Sequence, residues 1–127
     1  MADRLQIAEL IRALHAARMA SQLDELCGLF CADARFRVAG SSAGKPIAIS
    51  AIGVEDIRSW LSIMVKTFKL SDYQLVSMVI DGSAAAVHWR AQIHSKITGA
   101  VVATELVDMI EVRNGRISSY FELFVPR

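Results

Sequence analysis

The sequence has little of what marks a membrane protein or a nucleic-acid-binding protein. Its 127 residues include only two prolines and two cysteines, and the formal net charge is +1. No uncharged run approaches the roughly 18 residues that a membrane-spanning helix needs. Lysine and arginine are scattered instead of forming the basic stripe that nucleic-acid binding requires. We therefore expect neither a membrane nor a nucleic acid as a partner.

The N-terminus and the cysteines predict the compartment and the absence of a metal site. Met-Ala-Asp-Arg opens with charge and lacks the apolar core of a signal peptide. Without a secretion signal, Cys27 and Cys31 are expected to be reduced thiols of a cytoplasmic protein. They lie one helical turn apart with no matched second pair, which makes a poor zinc site and favours core cysteines. We predict no metal and no cofactor.

What the chain does have is apolar sequence, with 54% hydrophobic residues. The length fits one domain, residues 1–127, that is large enough to bury a real core. There is no repeat, low-complexity tract or linker. The excess of apolar surface is expected to line both a cavity and a subunit interface.

Three helices are predicted in the first half. Asp3 suits the N-cap of a helix of about 17 residues, and a shorter helix begins near Gln22. His15, on the first helix, has no evident partner and is expected to face solvent. The apolar stripes at helical spacing are Ile7, Leu10, Ile11 and Leu14; Leu23, Leu26, Cys27 and Phe30; and Ile57, Trp60, Leu61, Met64, Val65 and Phe68.

The second half reads as strands that end at tight turns. A short strand is also predicted over Ala34–Val38, and the small residues of Ala39–Gly53 predict a surface loop. Helices followed by consecutive strands indicate an α+β fold, with the helices on one face of an antiparallel sheet. The predicted strands of the second half are Tyr73–Ile80, Ala84–Ile97, Val101–Arg113 and Ile117–Val125.

Asp108 is the best candidate for chemistry, because it lies mid-strand between Leu106 and Ile110. A carboxylate there is either solvated on an open face or held in a pocket. An apolar pocket raises the pKa of a carboxyl group and can produce an acid that is neutral near pH 7. The alternative is a structural aspartate that binds a core hydroxyl or faces water.

The faces of the last two strands depend on the turn at Asn114-Gly115. A two-residue turn places Asp108 opposite Phe121 and sends Glu122 to the other face. A three-residue loop with a bulge moves the register by one residue and places Asp108 opposite Tyr120. In that case two carboxylates and a phenol share one pocket, which is enough for general acid–base work.

The preceding strand raises the same question of faces. A two-residue turn at Thr98-Gly99 puts Trp89 opposite Asp108, so the apolar face of the strand lines the pocket. His88 and Arg90 then lie on the other face of the sheet. The opposite parity would bring His88 and Arg90 into the pocket.

Several local motifs occur in the order and spacing of one known superfamily. They are Leu23-Asp24-Glu25-Leu26, Leu29-Phe30-Cys31-Ala32-Asp33-Ala34-Arg35-Phe36, Gly53-Val54-Glu55-Asp56-Ile57, Asn114-Gly115-Arg116-Ile117 and Tyr120-Phe121-Glu122. With this order of helices and strands, the chain resembles the nuclear transport factor 2-like superfamily. Its members include ketosteroid isomerase, scytalone dehydratase, limonene epoxide hydrolase and the SnoaL-like polyketide cyclases.

The resemblance implies a cone, in which a strongly curved, mostly antiparallel sheet has its concave face covered by three N-terminal helices. It also implies a homodimer that forms through the convex face of the sheet. Asp108 matches the protonated aspartic acid of ketosteroid isomerase that donates a hydrogen bond to the oxyanion. The catalytic tyrosine of that enzyme corresponds here to Leu14 and its general base to Val38, so steroid isomerisation by that mechanism is not expected.

Two other members of the superfamily offer weaker parallels. No histidine–aspartate network like that of scytalone dehydratase can be placed on the sequence. Arg90 with Asp108 and Glu122 is a loose analogue of the Asp-Arg-Asp set of the epoxide hydrolase.

The predicted function is a SnoaL-like pocket for a small apolar or aromatic molecule. Asp108 would be the acid or oxyanion donor and Glu122 the base, in isomerase, cyclase, dehydratase or hydrolase chemistry without a cofactor. The alternative is a non-catalytic module for ligand binding or dimerisation, and the residues leave open whether the protein is an enzyme. The predicted pocket walls are Leu14, Phe36, Val38, Trp60, Leu61, Trp89, Leu106, Tyr120 and Phe124.

Overall fold

Three helices precede or interrupt a six-stranded sheet in the part of the chain that the computed structural model describes, residues 3–42 and 44–127. The elements are α1 (Arg4–Met19), α2 (Leu23–Gly28), β1 (Phe30–Ser42), β2 (Lys45–Ile52), α3 (Val54–Thr67), β3 (Phe68–Asp81), β4 (Ala84–Ser95), β5 (Val101–Arg113) and β6 (Arg116–Pro126). The strand order is β2-β1-β6-β5-β4-β3, and only the β1–β6 pair is parallel. The predicted α+β class with a mostly antiparallel sheet is confirmed.

Helix α1 has Asp3 as its N-cap, as predicted, and begins with a capping box. The Asp3 carboxylate accepts a hydrogen bond from Gln6 N at 2.8 Å, and Asp3 N donates to Gln6 Oε1 at 3.1 Å. Over the same described residues, no helix is long and apolar enough to cross a membrane. The buried residues of α1 are Ile7, Ala8, Ile11, Leu14, His15, Ala17 and Arg18.

The core lies between the helices and one face of the sheet. Alternate residues of β4 and β5 point into it, which is the period-two pattern of a sheet with one covered face. Leu61 and Ile57 of α3 pack on the same side. The largest side chains that are almost fully buried include Trp89, Phe36, Ile11, Leu14, Leu106 and Ile110.

The predicted surface loop over Ala39–Gly53 is wrong, because most of this segment is strand. β1 continues to Ser42 and pairs antiparallel with β2, while its other edge pairs with β6. Strand pairing on both edges outweighs the weak strand preference of glycine and alanine. At Gly40 the neighbouring strand also comes very close, since a Cβ there would lie 2.3 Å from the carbonyl oxygen of Phe124.

The β4–β5 connection is longer than the predicted two-residue turn. Ser95 Oγ accepts hydrogen bonds from the backbone N–H groups of Ile97 and Thr98, which closes a wider loop. Trp89 is therefore opposite Leu106 and not opposite Asp108. The shift is two residues, so the predicted parity is confirmed: the apolar face of β4 points into the core.

The β5–β6 connection is a two-residue turn, yet its register matches neither prediction. Asn114 and Gly115 have φ values of 53° and 76°, as a tight hairpin turn requires. A bulge follows, because Val112 pairs with Ile117 whereas Glu111 pairs with Ser119. This bulge at Ser118 sets Asp108 directly opposite Glu122 and restores the parity of the three-residue alternative.

Candidate active site

Asp108 is fully buried, with 0% of its surface exposed. Its Oδ2 accepts a hydrogen bond from Trp89 Nε1 at 3.0 Å, and His15 Nε2 lies 3.0 Å from the same oxygen. Its Oδ1 has no donor among the described residues. Burial, and next the charge of Glu122, raise the pKa of Asp108 well above its ordinary value. This shift favours the neutral form of Asp108 over the ionised form.

His15 does not face solvent, and that prediction is wrong. The ring is 2% exposed and lies between Asp108 and the hydroxyl of Tyr73, which is 2.6 Å from His15 Nδ1. It also packs against the indole of Trp89, with the ring centroids 4.5 Å apart. Burial and the charge of Arg18 lower the pKa of His15 to about 4, so the imidazole is neutral at pH 7.

Glu122 is the ionised partner in the site. It is 2% exposed, and Arg18 donates to its two oxygens, from Nη1 at 2.6 Å and from Nη2 at 3.3 Å. The hydroxyl of Tyr120 also donates to Glu122 Oε2. Burial acts to raise the pKa of Glu122, but the charge and hydrogen bonds of Arg18 outweigh it, and the pKa is lowered.

Arg18 and Tyr120 hold their protons firmly in this arrangement. Burial acts to lower the pKa of Arg18, but the charge of Glu122 more than compensates and raises it. Burial, and then the charges of Asp108 and Glu122, raise the pKa of Tyr120 well above its ordinary value. Arg18 Nη1 also donates to Tyr120 Oη at 3.2 Å. The buried cluster thus pairs the cation Arg18 with Glu122, the carboxyl group whose ionised form is favoured.

A cavity of about 890 Å³ lies above this cluster, and Arg18 and Glu122 are among its lining residues. Hydroxyl side chains of Ser41, Ser42 and Thr98 also line it, but most of its walls are apolar. The apolar lining includes Leu26, Val38, Ile49, Leu61, Met64, Val65, Leu70, Ile93, Leu106 and Phe124.

The structure places the predicted pocket residues in two groups. Four of the predicted walls line the cavity: Val38, Leu61, Leu106 and Phe124. The others lie in or against the core and, within residues 3–42 and 44–127, outside the cavity lining: Leu14, Phe36, Trp60, Trp89 and Tyr120. Of the two predicted carboxylates, Glu122 reaches the cavity and Asp108 lies behind it, in contact with Trp89 and His15.

The arginine of the site comes from α1 and not from β4. Arg90 lies on the outer face of the sheet, where its Nε donates to Glu105 Oε1 at 2.8 Å and where His88 contacts the same carboxylate. Arg90 thus lies where the apolar parity of β4 predicts it, and its loose analogy with the Asp-Arg-Asp set does not hold. Arg18 contacts Glu122 instead. The sequence analysis missed His15 and Arg18, although their spacing on α1 indicates burial. Arg18 continues the helical stripe of Ile7, Ile11 and Leu14, and His15 lies beside it.

The two cysteines are free and buried, as expected for core residues. Within the described part of the chain, no group of three or more His, Cys, Asp and Glu side chains is arranged to hold a metal ion. The polar groups that converge below the cavity are thus two carboxyl groups, a guanidinium, a phenol and an imidazole.

Comparisons with known proteins agree with this architecture. The SnoaL-like domain family matches residues 11–120 of the chain. A comparison with curated proteins found no match. Similar solved structures share the fold at low sequence identity, and three of them illustrate its range.

A candidate isomerase from Bacillus subtilis is 21% identical, with a TM-score of 0.82 over 98% of this chain and 89% of the other. An NTF2-like protein from Burkholderia xenovorans is 18% identical, with a TM-score of 0.79 over 96% and 91%. An LEH-like epoxide hydrolase from M. tuberculosis is 15% identical, with a TM-score of 0.74 over 94% and 83%. The chain therefore belongs to the SnoaL-like domain family and has the fold of nuclear transport factor 2-like proteins.

Proposed function

We propose that this protein is an enzyme that performs acid–base chemistry, without a cofactor, on a small neutral molecule held in the cavity. The observation that carries the proposal is the unequal carboxyl pair below the cavity, where Asp108 is directly opposite Glu122. Two neighbouring carboxyl groups whose surroundings push their pKa values apart are the usual arrangement of an acid and a base. Here the pKa of Asp108 is raised and that of Glu122 is lowered.

Glu122 is the general base in this proposal. It is ionised and it lines the cavity, so a substrate C–H or O–H group can come within hydrogen-bond reach of it. Asp108 does not line the cavity, and its role is to exchange a proton with Glu122. Because a neutral acid carries no charge, it adds no second negative charge beside the oxyanion that forms on the substrate.

Arg18 is the group that would bind the reacting oxygen of the substrate. Its hydrogen bonds to Glu122 and Tyr120 use only some of its N–H groups, and it lines the cavity. A carbonyl oxygen that accepts from Arg18 would become more negative as Glu122 removes a proton from the adjacent carbon. Fixed positive charge at a developing oxyanion is commonly the largest single contribution to catalysis.

The reaction class that follows is proton abstraction next to a carbonyl group. The proton moves from the α-carbon to Glu122, and the electron pair of the C–H bond moves to the oxygen bound by Arg18. Return of the proton to another carbon isomerises the substrate. Attack of the enolate carbon on a second carbonyl closes a ring, and the alkoxide that forms takes the proton held by Glu122. Neither outcome needs an oxidant or a reductant.

The cavity favours a neutral and largely apolar substrate. The charge of Arg18 is already balanced by Glu122, so a charged head group would be left without a counter-ion. A volume of about 890 Å³ lies within the usual range for pockets that hold small molecules. Aromatic ketones of two or three rings combine the required carbonyl group with an apolar body.

Deuterium exchange tests the proposal whichever product the enzyme forms. The protein is incubated in D₂O with 2-tetralone and related neutral aryl ketones, and incorporation at the α-carbon is followed by proton NMR. We expect the wild type to accelerate incorporation for at least one ketone and Glu122→Gln to reduce the rate by at least about 100-fold. Glu111→Gln, which removes an exposed carboxylate of the same sheet, is the matched control and should keep the wild-type rate.

A non-catalytic binding module is the competing function, and the same apolar walls favour it. Binding of the neutral fluorophore N-phenyl-1-naphthylamine separates the two. If the wild type and Glu122→Gln bind the fluorophore and the wild type leaves every ketone undeuterated, the protein is a binding module and the proposed chemistry is wrong.

A further inference from the structure

We infer that Tyr73, His15, Asp108 and Glu122 form a proton relay that connects the surface of the protein with the floor of the cavity. The inference rests on the proposed function only in giving Glu122 the role of the base. Its consequence is that the proton taken from a substrate can leave at the exposed Tyr73 instead of through the cavity mouth, while the cavity is occupied.

Two short side-chain distances and one strand pairing connect the ends of the relay. Tyr73 is 38% exposed and its hydroxyl lies 2.6 Å from His15 Nδ1. On the other side of the ring, His15 Nε2 lies 3.0 Å from Asp108 Oδ2. Asp108 and Glu122 are directly opposite each other on neighbouring strands, and Glu122 lines the cavity.

The unpartnered oxygen of Asp108 fits a proton shared with Glu122. Oδ2 is occupied by Trp89 Nε1 and His15, whereas Oδ1 has no donor within the described residues. A buried carboxyl oxygen without a donor is costly if it is ionised. It is satisfied if Oδ1 itself carries the proton and donates it to the Glu122 carboxylate, which is the state that each transfer leaves.

An irregularity in β3 brings Tyr73 to the relay. The pairing of β3 with β4 shifts between Ser71 and Gln74, and Asp72 has a φ value of 53°. Such bulges redirect a side chain, and they occur frequently next to active sites. The distortion places the phenol of Tyr73 edge-on to the ring of His15, with centroids 5.3 Å apart.

One proton passes from Glu122 to water, and the groups in between, Asp108 and His15, are neutral before and after the transfer. Glu122, once protonated, gives its proton to Asp108 Oδ1, and Asp108 gives the proton on Oδ2 to His15 Nε2. His15 gives the proton on Nδ1 to the Tyr73 oxygen, and Tyr73 releases its own proton to water. Asp108, His15 and Tyr73 are again neutral and Glu122 is again ionised. The chain resets when the Asp108 proton returns from Oδ1 to Oδ2 and the imidazole changes its tautomer.

The charges that face the relay favour this neutral mode. Arg18 on α1 and Glu122 on β6 flank Asp108, Arg12 acts on Tyr73, and Tyr120 and Trp89 complete the polar surroundings. Burial, and next the charge of Arg18, lower the pKa of the imidazole to about 4 and keep it neutral. A neutral imidazole has one nitrogen that donates and one that accepts, as the relay requires.

Exchange of the His15 ring N–H with water, followed by ¹⁵N NMR of labelled protein, tests the relay without any ligand. Tyr73→Phe closes the surface end and Glu122→Gln closes the cavity end. Because each single variant leaves the other end open, we expect both to exchange within about threefold of the wild type. In the double variant, water reaches His15 only when the protein opens locally. We expect its ring N–H to exchange at least about tenfold more slowly than that of the wild type.

Two outcomes would overturn the relay. In one, the double variant exchanges as fast as the single variants; in the other, Tyr73→Phe alone slows exchange as much as the double variant does. Backbone amide exchange in α1 reports any change in local opening, and Ser118→Ala, which removes a hydroxyl outside the relay, should match the wild type. If the double variant does not fold, Tyr73→Phe saturated with N-phenyl-1-naphthylamine closes the same two ends.

Ring N–H exchange does not depend on catalysis. If no ketone is deuterated, the double variant can still exchange its His15 N–H slowly, and the relay then stands without the proposed function. If ketones are deuterated but the double variant exchanges as fast as the single variants, the proposed function stands without the relay.

Discussion

Asp108 and Glu122 face each other across β5 and β6 because an extra residue, Ser118, bulges out of the hairpin between them. The two-residue turn by itself would place Glu122 on the outer face of the sheet. The bulge turns it inward, where Arg18 from α1 reaches it. One local irregularity thus converts a strand residue into half of a buried acid–base pair.

Removal of Arg18 should destabilise the protein strongly. Arg18→Met leaves Glu122 as an uncompensated buried charge, and we expect a loss of about 3–5 kcal/mol in the free energy of unfolding at pH 7. Urea denaturation measures it, and Arg18→Met combined with Glu122→Gln should recover part of the loss. Arg58→Met breaks an exposed ion pair with Asp24 and is the control, with little expected change. Equal effects of Arg18→Met and Arg58→Met would contradict the buried pair.

The pH dependence of stability should contain the signature of His15. Its folded-state pKa of about 4 lies below the ordinary 6.5, so only the unfolded chain takes up a proton as the pH falls below 6.5. His15 therefore stabilises the fold fully above pH 6.5, and this contribution, on the order of 3 kcal/mol, is lost between pH 6.5 and 4.

The comparison that isolates this effect is the wild type against His15→Gln over that pH range. Asp108, whose raised pKa contributes with the opposite sign, titrates in both proteins. We expect the free energy of unfolding of His15→Gln to fall less steeply than that of the wild type as the pH is lowered. His94→Gln, which alters a histidine outside the buried cluster, controls for the substitution. An unchanged slope in His15→Gln would show that His15 is not buried in its neutral form.

Gly40 should tolerate no side chain. A Cβ there would lie 2.3 Å from the carbonyl oxygen of Phe124 and 2.5 Å from its ring, and such overpacking costs about 1–3 kcal/mol. Because Phe124 lines the cavity, Gly40→Ala should also weaken the binding of N-phenyl-1-naphthylamine. Gly28→Ala, at a helical position with open space around it, should instead stabilise the protein by about 0.5–1 kcal/mol. Equal thermal stability of the two variants would contradict the close contact of β1 and β6.

We propose that the outer face of the sheet is the homodimer interface. Met109 and Leu123 are 48% and 42% exposed on that face, and large exposed apolar patches mark interaction sites. Sedimentation equilibrium should show a dimer for the wild type and a monomer for Leu123→Lys. Ile63→Lys, on the exposed side of α3, should remain dimeric. A monomeric wild type at micromolar concentration would contradict this interface.

The sequence predicts the elements of the fold better than it predicts the site. Val101–Arg113 has the predicted bounds, because its alternation and its turn residues are local signals. The β1–β2 hairpin is not predicted because its stability comes from pairing with β6, about 80 residues away along the chain. Local pattern alone does not report such partners.

The site depends on partners that are equally distant in sequence. Asp108 and Glu122 stand out as carboxylates within apolar strands, whereas His15 and Arg18 read as solvated residues of an amphipathic helix. Only the packing of α1 against the sheet buries them, at contacts that span 93 and 104 residues. The outer position of Arg90, by contrast, follows from the local parity of β4 and is predicted from the sequence.

Carboxyl-selective infrared spectroscopy at pH 7 tests the central claim most directly, which is that Asp108 is neutral beside an ionised Glu122. The wild type should show the C=O stretch of a protonated carboxylic acid, and this band should disappear in Asp108→Asn and persist in Glu122→Gln. A spectrum in which the wild type contains only ionised carboxylates at pH 7 would contradict the account.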